Sequence, residues 1–306
     1  MTTTFNTMLP AALPRNRFRS SIIAALSLVL CVLAAGCSLL KIGYSQASPL
    51  TFRWLDGYVD FDDAQSLRVR GALGEAMSWH RRTQLPDYVE LLVRAGNDIQ
   101  VDSTSERACA WGHELRDRAD TMAQYALPTI VEVALTLSPA QIVNIEKRQA
   151  KTNGEWRDDH LQRDREKRRR AAVKLEVERA EGLYGDLDAR QLDLIAHSVA
   201  ASPYDADLSY AERIARQQDS IALIRRWRES GTGRDEALLQ AKGWVQRLER
   251  SPREPYRAYA ARLADYNCGF ASTLHNTTSA AQRQGAVKKL KGYEGDLRAL
   301  IADAAS

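Results

Sequence analysis

The sequence predicts an all-α protein, a multi-helix bundle with one long, highly charged helix that projects from the bundle or bridges two lobes. Apolar residues recur at helical spacing almost throughout, and no run sustains strand alternation. Four stretches place Asp or Ser three residues before Gln, the spacing of a helix capping box: FDDAQ (Phe61–Gln65), LSPAQ (Leu137–Gln141), LDARQ (Leu187–Gln191) and TSAAQ (Thr278–Gln282). The segment from Pro139 to Tyr184 supplies the long helix, about 45 residues and roughly 67 Å at helical rise. Between Glu146 and Arg170 its sizeable apolar side chains are Trp156 and Leu161, so it cannot be packed on every side.

The front of the chain reads as a targeting signal. Arg15, Arg17 and Arg19 precede the uncharged apolar run Ser20–Gly36, and Ala34-Ala35-Gly36 leads into Cys37. Small side chains fit the narrow pockets of a signal peptidase, and the cysteine sulfur is the nucleophile a diacylglycerol would be attached to. AAGC resembles a bacterial lipobox, except that Ala34 stands where Leu is usual. A plain secretory signal and an uncleaved anchor are the competing readings. Several acyl chains on one residue hold a protein durably on a membrane. Ser38 departs from the Asp that resembles an inner-membrane retention signal, so the expected location is the periplasmic face of the outer membrane. We therefore divide the chain into a signal peptide (1–36), a lipidated tether (37–48) and a helical periplasmic domain (49–306).

Removing the leader takes away three arginines and no acid, so the formal net charge of +4 falls to +1. The chain's basicity therefore argues nothing about nucleic acid. Of four cysteines, Cys31 leaves with the leader and Cys37 carries lipid, leaving Cys109 and Cys268. In an oxidising compartment one bridge is available to them. Two buried thiols too far apart to join are the alternative.

Helices are expected over about 62–82, from Pro86 to about Gly96, over 103–126, and from Pro128 through the apolar TIVEVALTL. In LSPAQ, Ser138 caps, Pro139 occupies the first helical position without losing a needed donor, and Leu137 and Ile142 stand at the positions of a hydrophobic staple. Asp188 and Gln191 repeat the arrangement, with Leu187 and Leu192 as staple partners. Along the charged helix, Asp159/Arg163, Asp164/Arg168 and Glu166/Arg170 have the supportive orientation at four-residue spacing. Gly154 is where a kink or break is expected. Shorter helices follow over about 189–200, 208–229, 234–250, 254–274 and 280–304, separated by Ser-Pro and SGTG stretches.

Candidate sites are sparse. Arg168, Arg169 and Arg170 end a basic run that lacks interleaved aromatics and carries Asp164 and Glu166; it reads as solvated helix surface, with lipid phosphates as the alternative partner. His80, Arg81 and Arg82 at an expected helix C-terminus suit capping of the last carbonyls, or an anion, with His80 favoured as a cation. His113, Glu114 and Asp117 share a helical face, but HELRD lacks the second histidine of a zinc-protease motif, and metal sites need three or four ligands. No nucleophile elbow, Cys/His pattern or phosphate-cradling glycine loop occurs, so neither an enzyme nor a cofactor is expected.

Trp54-Leu55-Asp56 with Tyr58, Trp79-His80-Arg81, Leu85-Pro86 with Tyr88, LSPAQIVNIEKR, KTNGEW, ERIARQQDS (Glu212–Ser220) and GYEGDLRAL (Gly292–Leu300) together resemble an uncharacterised family of Gram-negative periplasmic lipoproteins. The resemblance spans nearly the whole mature chain. It implies a helical envelope lipoprotein and carries no catalytic residues. The Leu-Ser-x-x-Gln spacing is also similar, more loosely, to the LTxxQ motifs of small periplasmic chaperones and stress sensors. The function expected is a non-enzymatic envelope adaptor, scaffold or chaperone-like protein, anchored by its N-terminal lipid, with an envelope protein as partner and no nucleic acid. A periplasmic metal- or anion-binding stress sensor is the alternative.

Overall fold

The computed structural model describes residues 39–162 and 164–303; the leader, Cys37 and Arg163 lie outside them. Among the described residues the chain is helical, with no strand. In order, the helices are α1 (Leu39–Val59), α2 (Asp63–Trp79), a π turn (His80–Gln84), α3 (Leu85–Asp98), α4 (Ser105–Thr136), α5 (Pro139–His160), α6 (Arg165–Tyr184), α7 (Ala189–Ala201), α8 (Ala206–Ser230), α9 (Arg234–Glu249), α10 (Glu254–Asn276) and α11 (Ala280–Ala302). The described residues divide into two units at residue 45/46. Among the described residues no single helix is long and apolar enough to cross a membrane.

All four Asp/Ser-x-x-Gln stretches are helix starts with complete capping boxes, at Asp62, Ser138, Asp188 and Ser279. The four glutamines also meet in two pairs. Gln141 Nε2 donates to Gln65 Oε1 at 2.6 Å, and Gln191 and Gln282 exchange amide hydrogen bonds at 2.9 Å in both directions. Each glutamine further donates to the carbonyl two residues before its partner's cap: Gln65 to Thr136, Gln141 to Asp60, Gln191 to Thr277 and Gln282 to Asp186. Each Oε1 also accepts its own cap's amide. One carboxamide thus closes its own helix start and fastens another. The same lock occurs twice, across 76 and 91 residues of sequence. Gln65, Gln141 and Gln191 are buried, which such satisfied polar groups permit.

The cores lie beside these locks. Leu137 and Ile142, the expected staple, pack with Ile221 and Val59, and the chain turns through 118° between α4 and α5 at this point. Leu127 and Val131 of α4 meet Leu223 and Trp227 of α8 and Ala237 and Ala241 of α9. Ala180, Ile195 and Leu274 bring α6, α7 and α10 together. In the second staple, Leu187 joins this last cluster while Leu192 is exposed, because Ile195 takes the interior position instead.

Cys109 of α4 and Cys268 of α10 form a disulfide across 159 residues. Nearby, Asn276 donates to the Ser103 carbonyl and accepts the Ser103 amide, and Arg283 pairs with Asp102 at 2.5 Å. His275 is buried and donates from Nε2 to the Val101 carbonyl at 2.7 Å, so its Nδ1 accepts from the Tyr184 hydroxyl at 2.9 Å. The loop between α3 and α4 is thereby held by the end of α10.

Several expectations are corrected. The segment from Pro139 to Tyr184 is two helices, not one, and the break falls between His160 and Arg165 rather than at Gly154. Asp164 starts a new helix by accepting from the Lys167 amide, whereas Gly154 sits mid-helix, where a lone glycine costs only about 1 kcal/mol. Neither half projects free: α5 packs on α8, and α6 on α7 and α11. The described residues from 46 onward cluster as one compact unit. Pro128 lies inside α4 instead of starting a helix, with buried Leu127 and Val131 on either side of it anchoring the turn. Helix α1 begins at Leu39 and runs through Pro49, where a tether was expected. In α2 the buried positions are Gln65 and Val69, while Leu67 is 77% exposed. Packing onto the Gln141 lock sets this face.

Glu132 of α4 joins α2 to α9, accepting from Arg68 at 2.6 Å and from Arg234 at 2.8 Å. Hydrogen bonds from these two guanidiniums hold its carboxyl below the usual 4.5. A depressed native pKa stabilises above the unfolded pKa, and that gain is lost as pH falls through the native value. Glu132→Gln is expected to cost under about 1 kcal/mol at pH 7, because the site is partly solvated. Urea titrations at pH 7 and pH 3 check it: the gap between wild type and variant should close at the lower pH.

Candidate functional site

Helix α5 forms one wall of two open depressions. On one side it faces the end of α1, and on the other it faces α8. Ser138 and Gln141 fix the start of α5, and Ile142 and Ile145 anchor its inner face.

The first depression is a notch of about 280 Å³ lined by Gly57, Tyr58 and Asp60 at the end of α1 and by Asn144, Lys147, Arg148 and Lys151 of α5. The basic residues fall at i, i+1 and i+4 of one helix and so share a side. Arg148 lies 5.4 Å from the centre of the Tyr58 ring, within cation–π range. Its Nε is buried and has no hydrogen-bond partner among the described residues. Asp60 has φ 61°, a left-handed conformation usually taken by glycine beyond a helix end. The Asp60 amide donates back to Asp56, and its carbonyl accepts from Gln141, which holds the turn.

The second depression, about 410 Å³, runs between α5 and α8. Ile214, Ile221 and Ala150 supply apolar surface, and Gln149, Gln218, Asn153 and Gln217 supply carboxamides. Asn153 and Gln217 bond each other at 2.7 Å and 3.1 Å, and Arg213 donates to Asn153 at 2.7 Å. Glu146 and Arg225 pair at 2.9 Å beside it. Further along α8, buried Glu212 accepts from Arg216 at 2.7 Å and faces Arg253 at 3.4 Å, while Arg253 also pairs with Asp219 at 2.6 Å. KTNGEW and ERIARQQDS, far apart in sequence, meet here. Trp156 stacks on Tyr210, with ring centres 5.3 Å apart.

The residues singled out from sequence are placed otherwise. Glu114 pairs with Arg94 and Arg118, which hold its carboxyl below its ordinary range, and His113 Nδ1 lies 3.1 Å from Arg116. With Glu114 committed to arginines, His113, Glu114 and Asp117 form no ligand set. Among the described residues no group of three His, Cys, Asp or Glu could hold a metal. His80, Arg81 and Arg82 do not end a helix, since the chain continues through the π turn into α3. Burial pushes the His80 imidazole pKa below 6.5, opposite to the cation expected there. The Arg168 guanidinium donates to the Gln162 carbonyl, and Arg169 and Arg170 face Glu166 at 2.9 Å and 3.6 Å. The basic cluster that lines a depression is Lys147, Arg148 and Lys151, which sequence reasoning passed over. Its signal was the spacing of EKRQAK on the helix begun at Pro139.

No curated protein and no solved structure matches the chain. A model of a family of unknown function, DUF6279, matches residues 57–257, from the glycine at the rim of the notch to the fourth residue of α10. That match takes in both depressions, both caps of the first glutamine lock and the α5–α8 network. The chain belongs to the family of unknown function DUF6279.

Proposed function

We propose that the protein is a non-enzymatic envelope adaptor. It is held by lipid on Cys37 at the periplasmic face of the outer membrane, and it receives a segment of another envelope protein in the cleft between α5 and α8. The observation that carries this reading is the make-up of that cleft. Isoleucine and alanine side chains offer apolar area, and the carboxamides of Gln149 and Gln218 can exchange hydrogen bonds with a peptide backbone. The leader preceding Cys37 supports export, and a Cys109–Cys268 bridge suits an oxidising compartment.

The test is a photo-reactive residue at Gln218 in intact cells, with Lys288 of α11 as the comparison position. A discrete crosslinked protein is expected from Gln218, lost on Ala150→Asp, an exposed position of the cleft wall, and absent from Lys288. Equal capture from both positions would remove the cleft as the docking surface. Labelled palmitate should enter the wild-type chain and not Cys37→Ser; its absence from both would remove the anchor.

A further inference from the structure

We propose that the notch between the end of α1 and helix α5 is a phosphate-binding site. Lys147, Arg148 and Lys151 place three cationic side chains on its α5 wall, against the single carboxylate of Asp60. Other basic clusters are spent locally, as Arg169 and Arg170 are on Glu166. In the notch Lys151 has only a 4.0 Å contact to Glu155, and the remaining cations form no ion pair with an acid among the described residues. Arg148 leaves a buried Nε–H without an acceptor among the described residues. The face of Tyr58 supports the guanidinium from one side, so its donors are oriented before a ligand arrives. Asn144, one turn before Lys147 and Arg148, adds a neutral amide to the lining. A guanidinium, two ammonium groups and an amide around one concave volume match the tetrahedral oxygens of a phosphate better than a planar carboxylate. At about 280 Å³ the notch has room for a phosphate with part of the group that carries it.

Two sources share this chemistry, a phospholipid headgroup and a free phosphate. The full chain in detergent micelles, titrated calorimetrically with inorganic phosphate and separately with short-chain phosphatidic acid, separates them. Saturable binding to one site is expected. Lys147→Gln with Lys151→Gln should weaken it about tenfold, while Lys288→Gln with Lys291→Gln on α11 should leave it unchanged. Asp60→Asn should tighten it severalfold, since Asn keeps the left-handed turn and removes the one opposing charge. Far-ultraviolet dichroism of each variant separates a lost site from a lost fold. Phosphatidic acid binding tighter than phosphate assigns a lipid headgroup, and equal affinities assign a free phosphate. No saturation with either ligand, or equal weakening by the notch and α11 variants, overturns the site.

Discussion

Gln191→Ala is expected to lower the unfolding free energy by about 3 kcal/mol, through lost capping and stranded buried partners. Gln191 is fully buried, and its carboxamide serves four groups at once: the Asp188 amide, the Thr277 carbonyl and both polar ends of Gln282. Alanine leaves the Asp188 amide uncapped and the other partners facing a void. Loss of a cap alone costs about 1 kcal/mol, and each buried group left unpaired costs about 1–3 kcal/mol, so the lock outweighs the cap. The measurement that separates them is a double-mutant cycle in urea over Gln191→Ala, Gln282→Ala and the pair. A reciprocal lock predicts that the double variant loses less than the two single losses combined, by about 1 kcal/mol or more. Strict additivity would mean two independent caps that merely lie close. Gln65 and Gln141 offer the same cycle, with Thr136 and Asp60 as the carbonyls left behind.

The glutamine stretches also mark how far the sequence could be read. A capping box is a local object: both of its hydrogen bonds join groups three residues apart, so Ser138 and Gln141 declare it without reference to the rest of the chain. Their pairing with Asp62 and Gln65 depends on where two helix starts arrive in space, and nothing within five residues encodes that. The same division explains the helix ends. Gly233 before Arg234 and the Ser-Pro pairs are local punctuation, and the helices from Ala189 onward begin and end close to where the sequence placed them. Pro128 is a local signal overridden, since a proline inside a helix persists where burial on either side outweighs the lost hydrogen bond, and Pro49 likewise lies inside a helix. Gly154 is the converse, a weak breaker defeated by packing against α8, while Asp164 supplied a cap that charge periodicity concealed. The basic notch was illegible for a further reason. Lys147, Arg148 and Lys151 looked like any solvated helix face until Tyr58 and Asp60, from the far side of a 118° turn in the chain and three intervening helices, came to face them.

The largest effect is expected from the disulfide. Replacing both Cys109 and Cys268 with serine should lower stability by about 3–5 kcal/mol, since the closed loop is long and loop-closure entropy grows with its logarithm. The bridge closes 159 residues, more than half of the chain. Most of the change should arise in the unfolded chain, which regains the freedom that the bridge removes. The native contacts around the site do not need it: Ser105 Oγ lies 3.4 Å from Ser272 Oγ, Asn276 holds Ser103 through two hydrogen bonds, and Arg283 holds Asp102. The double-serine protein should therefore keep its far-ultraviolet dichroism at low urea while its midpoint falls. Reducing the wild type should reproduce that fall, and the double-serine protein should not respond to reductant. A midpoint that stays put in both would show that the two thiols do not bridge in solution. A native dichroism spectrum that collapses before any urea is added would show instead that the α3–α4 loop and the end of α10 cannot hold each other, so that the covalent link, rather than His275, Asn276 and Arg283, keeps α4 against α10.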